Sequence, residues 1–542
     1  MTATSELTAT APADDLFGHP KGLYICFATE LWERFSFYGM KFLLLLYLTK
    51  YHLFTDEAGY DVLGAYAGLV YALPVIGGLL ADRYLGMRKA VVFGAVLLSA
   101  GHLLMAYEGQ QALHFASGTV LNAPLTLNDG SIIAAGTRLA DEVIIQDVIA
   151  LNVFFLALAL IAVGVGFLKP NISTIVGQLY GDDDPRRDSG FTIFYMGINI
   201  GSFVAILLCG WLGETFGWGY GFGAAGIGML LGLTTFLRGQ KYLCGLADPS
   251  SPEQLKQPVL GPINREWTIY LCGLLSLGAV WYLLQYEPVV HMAQNALLAL
   301  ALIGLLLFAY LKGTKDEFQR TLVLMVLIAS SVVFWALFEQ SAGSMTLYAD
   351  RIVNREVMGT ELRASMFGSL NPFFIIVFAP LFAGLWVWLA RRGWEPSTPV
   401  KFALGIFQAG LGFGAMVIGA QFLGADGKVA ILWLTLAYLL HTTGELCISP
   451  VGLSAVTKLS IKRVVGVSMG TWFLATALSE TVATRIGKLA AIDTHAGETQ
   501  DLAHALATYT ELYSVLMWIG IGVGVFMLLI SPLLRKGMHG VH

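Results

Sequence analysis

Four charged side chains stand where a membrane helix should be apolar. Glu30, Glu33, Arg34 and Lys41 lie in ELWERFSFYGMK, between GLYICFAT and FLLLLYL. Wound as a helix at about 100° per residue, Glu30, Glu33, Arg34, Phe37, Tyr38 and Lys41 follow i, i+3, i+4, i+7, i+8 and i+11, within an arc of roughly 140°. Leu31, Trp32, Phe35 and Met40 take the other side. All the charges therefore face one way, toward a water-filled cavity rather than lipid. A carboxyl–guanidinium cluster can take up and release a proton, and its cation can bind a substrate carboxylate. The plainer alternative is a static salt bridge of Arg34 with Glu30 or Glu33 that only fixes packing. An ionisable group at membrane depth marks a functional site by default, because burying it costs several kcal/mol.

Other apolar stretches hold one or two polar groups each. Lys169 stands beside Pro170 and Asn171 in GVGFLKPNIS, and Asn199 lies in FYMGINIGS. Glu339 and Gln340 interrupt VFWALFEQSAGS, Asn371 precedes Pro372 in GSLNPFFIIVFAP, and Glu445 lies in HTTGELCISPVGLS. Most adjoin Gly or Pro, where a helix bends and backbone groups can be freed. Opposite charges on separate helices suggest ion pairs that form and break as a cavity opens to one side or the other. His102 and His441 read as packing histidines.

The elements that hold these residues follow from composition. The 542 residues are 56% hydrophobic and 13% charged. Apolar runs of roughly 20 residues, enough to cross a bilayer core of about 30 Å, recur throughout. The fold class expected is an all-α polytopic membrane protein with fourteen spans. They lie near 22–49, 58–82, 88–107, 147–179, 187–214, 218–243, 266–286, 290–311, 321–349, 361–390, 398–423, 429–459, 464–489 and 507–534. Alternate connections are rich in Lys and Arg, which places both termini in the cytoplasm of a cell-membrane protein; Arg351, Arg355 and Arg363 are exceptions on the outer side. The first 20 residues show no signal-peptide pattern. The outer loop 108–146 offers a small hairpin around NDG, or a disordered loop.

The organisation expected is a tail (1–20), a six-helix bundle (21–245), a Pro-rich linker (246–264), an inserted helix pair (265–312) and a second six-helix bundle (313–542). The inserted helices have few polar residues beyond their shared turn, QYEPVVH, and are expected to face lipid or pack without function. Cys26, Cys209, Cys244, Cys272 and Cys447 are scattered without a CxxC pair, so neither disulfides nor a metal site is suggested. Nothing points to a nucleic-acid partner. An intramembrane enzyme would need a nucleophile with its base, or metal-ligand spacing such as HExxH, and neither is found.

GGLLADRYLGMRK, from Gly77 to Lys89, resembles the G-x-x-x-D-R-x-x-G-x-[RK]-[RK] loop of the major facilitator superfamily. There Asp82, Arg83 and their basic neighbours can clasp a helix end and gate the inner face. More specifically, Glu30 to Gly39 resembles the E-x-x-E-R-F-x-Y-Y-G motif of the proton-coupled oligopeptide transporters. FYMGINIGS fits that family's F-Y-x-x-I-N-x-G-S signature, and GFLKPNIS, SLNPFF and GELCISPVGLS are also family-like. The resemblance covers almost the whole chain and includes the inserted pair.

It implies two six-helix bundles with a peptide between them, and symport of di- and tripeptides with protons. Small peptides, protons and the bilayer are then the partners, no cofactor is needed, and a monomer suffices. A peptide zwitterion needs a cationic and an anionic anchor, with each residue spanning at most about 3.3–3.6 Å. Arg34 and Lys169 are candidates for its carboxylate, Glu445 for its ammonium, and Asn199 and Asn371 for its amides. Family similarity adds Tyr38, Tyr71 and Trp472 as contacts. Glu30, Glu33, Arg34 and Glu339 would couple the proton. Lys41–Glu339 would close the outer side, with Lys169–Glu445 as a second clasp. Phe37 and Lys41 depart from the family pattern, losing a phenol and a bidentate guanidinium. The rival reading is a transporter of nitrate or another small anion or zwitterion.

Overall fold

A computed structural model describes residues 15–181, 184, 186–249, 251–492 and 501–541; most of the expected 1–20 tail lies outside them. Fourteen long helices account for most of the chain. The first six are α1 (Lys21–Lys50), α2 (Asp56–Leu80), α3 (Met87–Leu104), α4 (Val148–Gln178), α5 (Arg187–Phe216) and α6 (Trp218–Gly239). An inserted pair follows, α7 (Arg265–Leu283) and α8 (Glu287–Lys312). The last six are α9 (Lys315–Phe338), α10 (Leu370–Arg391), α11 (Thr398–Gly419), α12 (Ile431–Leu459), α13 (Val465–Lys488) and α14 (Leu502–Gly537). Twelve are long and apolar enough to cross a membrane by length and composition. The other two, α1 and α13, hold buried charge.

The two sets of six repeat one packing scheme. In the first, α3 packs on α4, α1 on α5 and α6, and α2 on α4; in the second, α11 packs on α12, α9 on α13 and α14, and α10 on α12. The bundles meet through α2 on α13 and α5 on α10, contacts that the same repeat relates to each other. Parallel repeats about an axis along the membrane normal are a transporter plan. One face of the molecule carries the linker after α6; the other carries the 108–147 excursion.

That excursion is built of nested antiparallel pairs, Leu113–Phe115 with Val143–Ile145 and Leu125–Thr126 with Ile132–Ile133, the inner one turning at Asn128–Asp129. Asp147 caps α4 by accepting from the Ala150 N–H. The linker holds a short helix, Pro252–Lys256, and a tight strand pair, Pro258–Leu260 with Ile263–Asn264. The inserted pair is less idle than its hydropathy suggests. Much of α7 is exposed, but α8 packs on α2, α9 and α13 and buries Glu287, His291 and Gln294 there. Gln294 accepts from the Thr481 hydroxyl, and His291 meets Glu287 at 2.6 Å and Arg485 at 3.1 Å.

Candidate functional site

Between the bundles lies a cavity of about 330 Å³, within the size range of small-molecule sites. Its wall includes Tyr38, Lys41, Tyr71, Lys169 and Asn199 from the first bundle and Glu339, Asn371, Glu445 and Trp472 from the second. Tyr195, Trp335, Phe338 and Phe473 add aromatic surface.

Lys169 is the cation that the wall leaves without a carboxylate. No acidic group lies within 4 Å of its Nζ among the described residues; the ammonium sits over the Tyr71 ring, 4.7 Å from its centre. Opposite, Glu445 accepts from Asn371 Nδ2 at 2.8 Å, and the same nitrogen donates to Thr442 Oγ1 at 3.1 Å. Proline stands near each anchor, Pro170 beside Lys169 and Pro450 five residues after Glu445. A helical proline removes one backbone hydrogen bond and loosens its turn.

Behind Tyr38 lies the charged face of α1. Arg34 donates Nη2 to Glu33 Oε1 at 2.6 Å and Nε to Glu33 Oε2, and its Nε is 3.4 Å from Glu30 Oε1. The guanidinium lies over Phe37 at 4.9 Å and Tyr38 at 5.9 Å. Glu30 Oε2 is buried with no hydrogen-bond partner among the described residues. Lys169 feels the charges of Arg34, Glu33 and Glu30, so it joins this cluster to the cavity. Glu30, Glu33 and Arg34 themselves do not line the cavity wall. In this state Arg34 gives Nε and Nη2 to Glu33, and Lys169 is the cation on the cavity wall.

Polar and close-packed contacts seal the cavity toward the excursion face. Lys41 Nζ lies 2.8 Å from Glu339 Oε2 and 3.0 Å from Glu480 Oε1. Arg351 holds Asp56 with two bonds of 2.6 Å, Lys50 pairs with Asp350 at 2.6 Å, and Lys488 pairs with Asp61. Between α2 and α13 the backbones approach closely: a Cβ at Gly64 would stand 2.6 Å from Thr484 Oγ1, and one at Gly487 2.5 Å from the Tyr60 ring. The basic residues that broke the loop-charge pattern are accounted for here, since Arg355 pairs with Glu361 at 2.8 Å and Arg363 donates to Thr215 at 3.2 Å. Toward the linker face the bundles part. Ile76 and Leu79 of α2 and Val467 and Phe473 of α13 are exposed, and Gly466 and Gly470 have nothing within 4 Å of a built Cβ.

Of the two inner-side clasps expected, one stands open in this state: Lys169 and Glu445 form no ion pair, Lys169 lying over Tyr71 of its own bundle and Glu445 accepting from Asn371 of the other. Asp82 and Arg83 do not clasp a helix end either. Both are exposed on a π-helical turn, Ala81–Leu85, with Arg83 over the Tyr84 ring at 5.4 Å. The clasp is made by the basic pair that follows: Arg88 with Asp248 at 2.5 Å and Gln240 at 2.9 Å, and Lys89 with Glu266 at 2.6 Å. Gly86 (φ 77°) lets this turn pass against Pro249, where a Cβ would stand 2.5 Å from the backbone nitrogen.

Sequence reasoning missed Glu480, Tyr195 and the Asp56–Arg351 pair. Glu480 carried the same signal as Glu445, a lone carboxylate in the apolar run FLATALSETVA. His441 is buried with Nε2 3.1 Å from Ala409 O, a packing role.

Residues 88–502 match the family model described as the POT family. The chain is 36% identical to "Peptide transporter YePEPT" of Yersinia enterocolitica, over 89% of this chain and 90% of that one. It is 31% identical to "Di-/tripeptide transporter" of Lactococcus lactis subsp. lactis, over 97% and 98%. A crystal structure titled "peptide transporter POT in complex with sulfate" superposes with a TM-score of 0.78 at 32% identity, covering 98% of each chain. Fold and cavity together define a multi-pass membrane transporter of the major facilitator type. Within that class the chain belongs to the POT family, the proton-coupled oligopeptide transporters.

Proposed function

We propose that this chain takes di- and tripeptides into the cell together with protons, binding each peptide between the bundles as a zwitterion. One observation carries the reading: a single cavity presents an uncompensated ammonium, Lys169, from one bundle and a carboxyl group, Glu445, from the other. Lys169 takes the peptide carboxylate and Glu445 its ammonium, each charge-assisted contact contributing about 1.5–3 kcal/mol. Asn199, Asn371, Tyr38 and Tyr71 meet the backbone and phenol-facing parts of the peptide, and Trp472 forms a side wall. An anion-only substrate such as nitrate would leave Glu445 without a counterpart.

Proton coupling follows from the shared cation. A peptide carboxylate on Lys169 weakens that ammonium's support for ionised Glu30, and the orphaned Glu30 Oε2 is where a proton can settle. Glu33 stays tied to Arg34 and orients it. Peptide and proton thus assist each other's binding, a reciprocal linkage. The state described is sealed toward the excursion face; full protonation of the carboxyl groups that hold Lys41 frees it and opens that seal. The Lys/Arg-rich connections on the linker face support a cytoplasmic side there, and on that reading this is an inward-open state. Each proton moved down the membrane potential supplies about 2.3 kcal/mol per 100 mV. The lining residues all come from one chain, which supports a monomer as the transporting unit.

The test is gradient-driven uptake of a labelled dipeptide into vesicles, challenged with unlabelled dipeptides, tripeptides and nitrate. Peptides should compete and nitrate should not. Failure to accumulate any dipeptide, or competition by nitrate alone, would overturn the reading.

A further inference from the structure

Lys41 has two carboxylates where one would balance it. Glu339 and Glu480 reach its Nζ at 2.8 and 3.0 Å, and the side chains of Lys41, Glu480 and Glu339 are only 5%, 4% and 13% exposed. The two carboxyl groups therefore converge on one ammonium. Among the described residues no second cation stands within 4 Å of either. The other titratable groups facing this trio are Tyr38 on α1 and Tyr66 and Tyr71 on α2. α8 carries Glu287 and His291, which pair with each other while His291 also meets Arg485, and α12 carries Glu445, which is engaged with Asn371. Two ionised carboxylates pressed together in a buried site repel strongly. One proton between them replaces that repulsion with a short O–H···O bond and leaves a single negative charge for Lys41.

We propose that Glu480 and Glu339 form a carboxyl dyad that shares one resident proton above Lys41, with Glu480 the member that lets the closed seal keep it. Glu480 lies behind the cavity wall, so it acts on Lys41 and Glu339 rather than on the peptide. When Lys41 withdraws with its bundle, the dyad loses its cation and takes a further proton from outer-face water. When Lys41 returns, that proton leaves through the cavity. This last step rests on the transport reading; the shared proton does not.

The experiment counts protonated carboxyl groups by infrared hydrogen/deuterium difference spectroscopy on purified wild type, Glu480→Gln and Glu339→Gln in lipid, without peptide. The wild type should show a deuterium-sensitive carboxylic-acid band that both variants lose, because the remaining carboxylate then pairs one to one with Lys41. Glu480→Asp should retain the band. A band that survives in either Gln variant overturns the dyad, and Glu339→Gln alone suffices if Glu480→Gln does not fold. As a functional arm, Glu480→Gln should move the pH midpoint of driven uptake about one unit toward acid, a tenfold change in proton concentration. An unmoved midpoint also overturns the proposal. If wild type shows the shared band but no peptide uptake, the transport reading fails and the dyad stands.

Discussion

Removing Arg351 should swing the protein open on its excursion face. Arg351 sits on the short helix Ser344–Arg351 after α9, and Asp56 begins α2, so their two 2.6 Å bonds join the bundles directly. Arg351 also donates to Tyr509 at 3.1 Å, and Asp56 accepts from the Ile492 N–H at 3.0 Å. In Arg351→Ala the carboxylate keeps one backbone donor and loses its counter-charge. Breaking a buried pair from one side costs about 3–5 kcal/mol, mostly as the penalty of the orphaned charge. With Asp56 3% and Arg351 10% exposed, the pair has a thin wet edge, which argues for the low end of that range. Because the pair bridges the bundles, the loss falls on the sealed state. About 3 kcal/mol shifts its equilibrium with the outward-open state roughly a hundredfold. Spin labels at exposed Glu57 and Met358, with exposed Cys244 and Cys272 replaced, report the separation across that face. Electron–electron resonance should show a long-distance population in Arg351→Ala that wild type lacks. Asp56→Asn/Arg351→Met, which orphans no charge, should recover much of the short distance. A distribution identical to wild type in Arg351→Ala would refute the idea that this pair holds the seal.

Further outcomes concern the anchors and the excursion. Lys169→Gln should weaken dipeptide binding by roughly ten- to a hundredfold, the value of one charge-assisted contact, as read by calorimetry. Glu445→Gln should lower affinity for free dipeptides while leaving N-acetylated dipeptides nearly unaffected, so that the ratio of the two constants falls toward one. His52, just beyond α1, is pushed down to about 4 by burial. A histidine with a depressed folded pKa binds fewer protons folded than unfolded, so stability is full above its ordinary value near 6.5 and erodes as pH falls toward 4. Hydrogen-exchange protection factors around His52 and Gln146, which donates to the His52 carbonyl at 2.6 Å, should therefore fall over that window, and His52→Gln should remove the dependence.

The fold was legible because hydropathy has a long reach in a membrane chain: fourteen apolar runs with alternating loop charge leave few alternatives to two bundles and an inserted pair. Local features were legible where one helix carries them. The arc of Glu30, Glu33, Arg34, Phe37, Tyr38 and Lys41 needs only helical geometry. What stayed hidden depends on which helices meet. Arg34 and Lys169 are equal candidates in sequence, and only the packing of α1 against α4 and α5 puts one behind the wall and the other on it. Glu480 gains meaning from the approach of α13 to α1, which no spacing within α13 reveals. Asp82 and Arg83 matched a loop pattern, yet the side chains that fasten this loop are Arg88 and Lys89, because Asp248, Gln240 and Glu266 are carried past it by the linker and α7. The polar side of α8 is likewise visible only against Arg485 and Thr481.

The central claim is that peptide and proton binding are linked through Lys169 and Glu30. The most direct test is to follow proton movement when only a dipeptide gradient is imposed across vesicles at equal pH and clamped voltage. Wild type should carry protons along with the peptide, and Glu30→Gln should pass peptide down its gradient with a diminished proton signal, fewer protons per peptide than wild type. Undiminished proton movement in Glu30→Gln, or peptide flux without protons in wild type, would contradict the account.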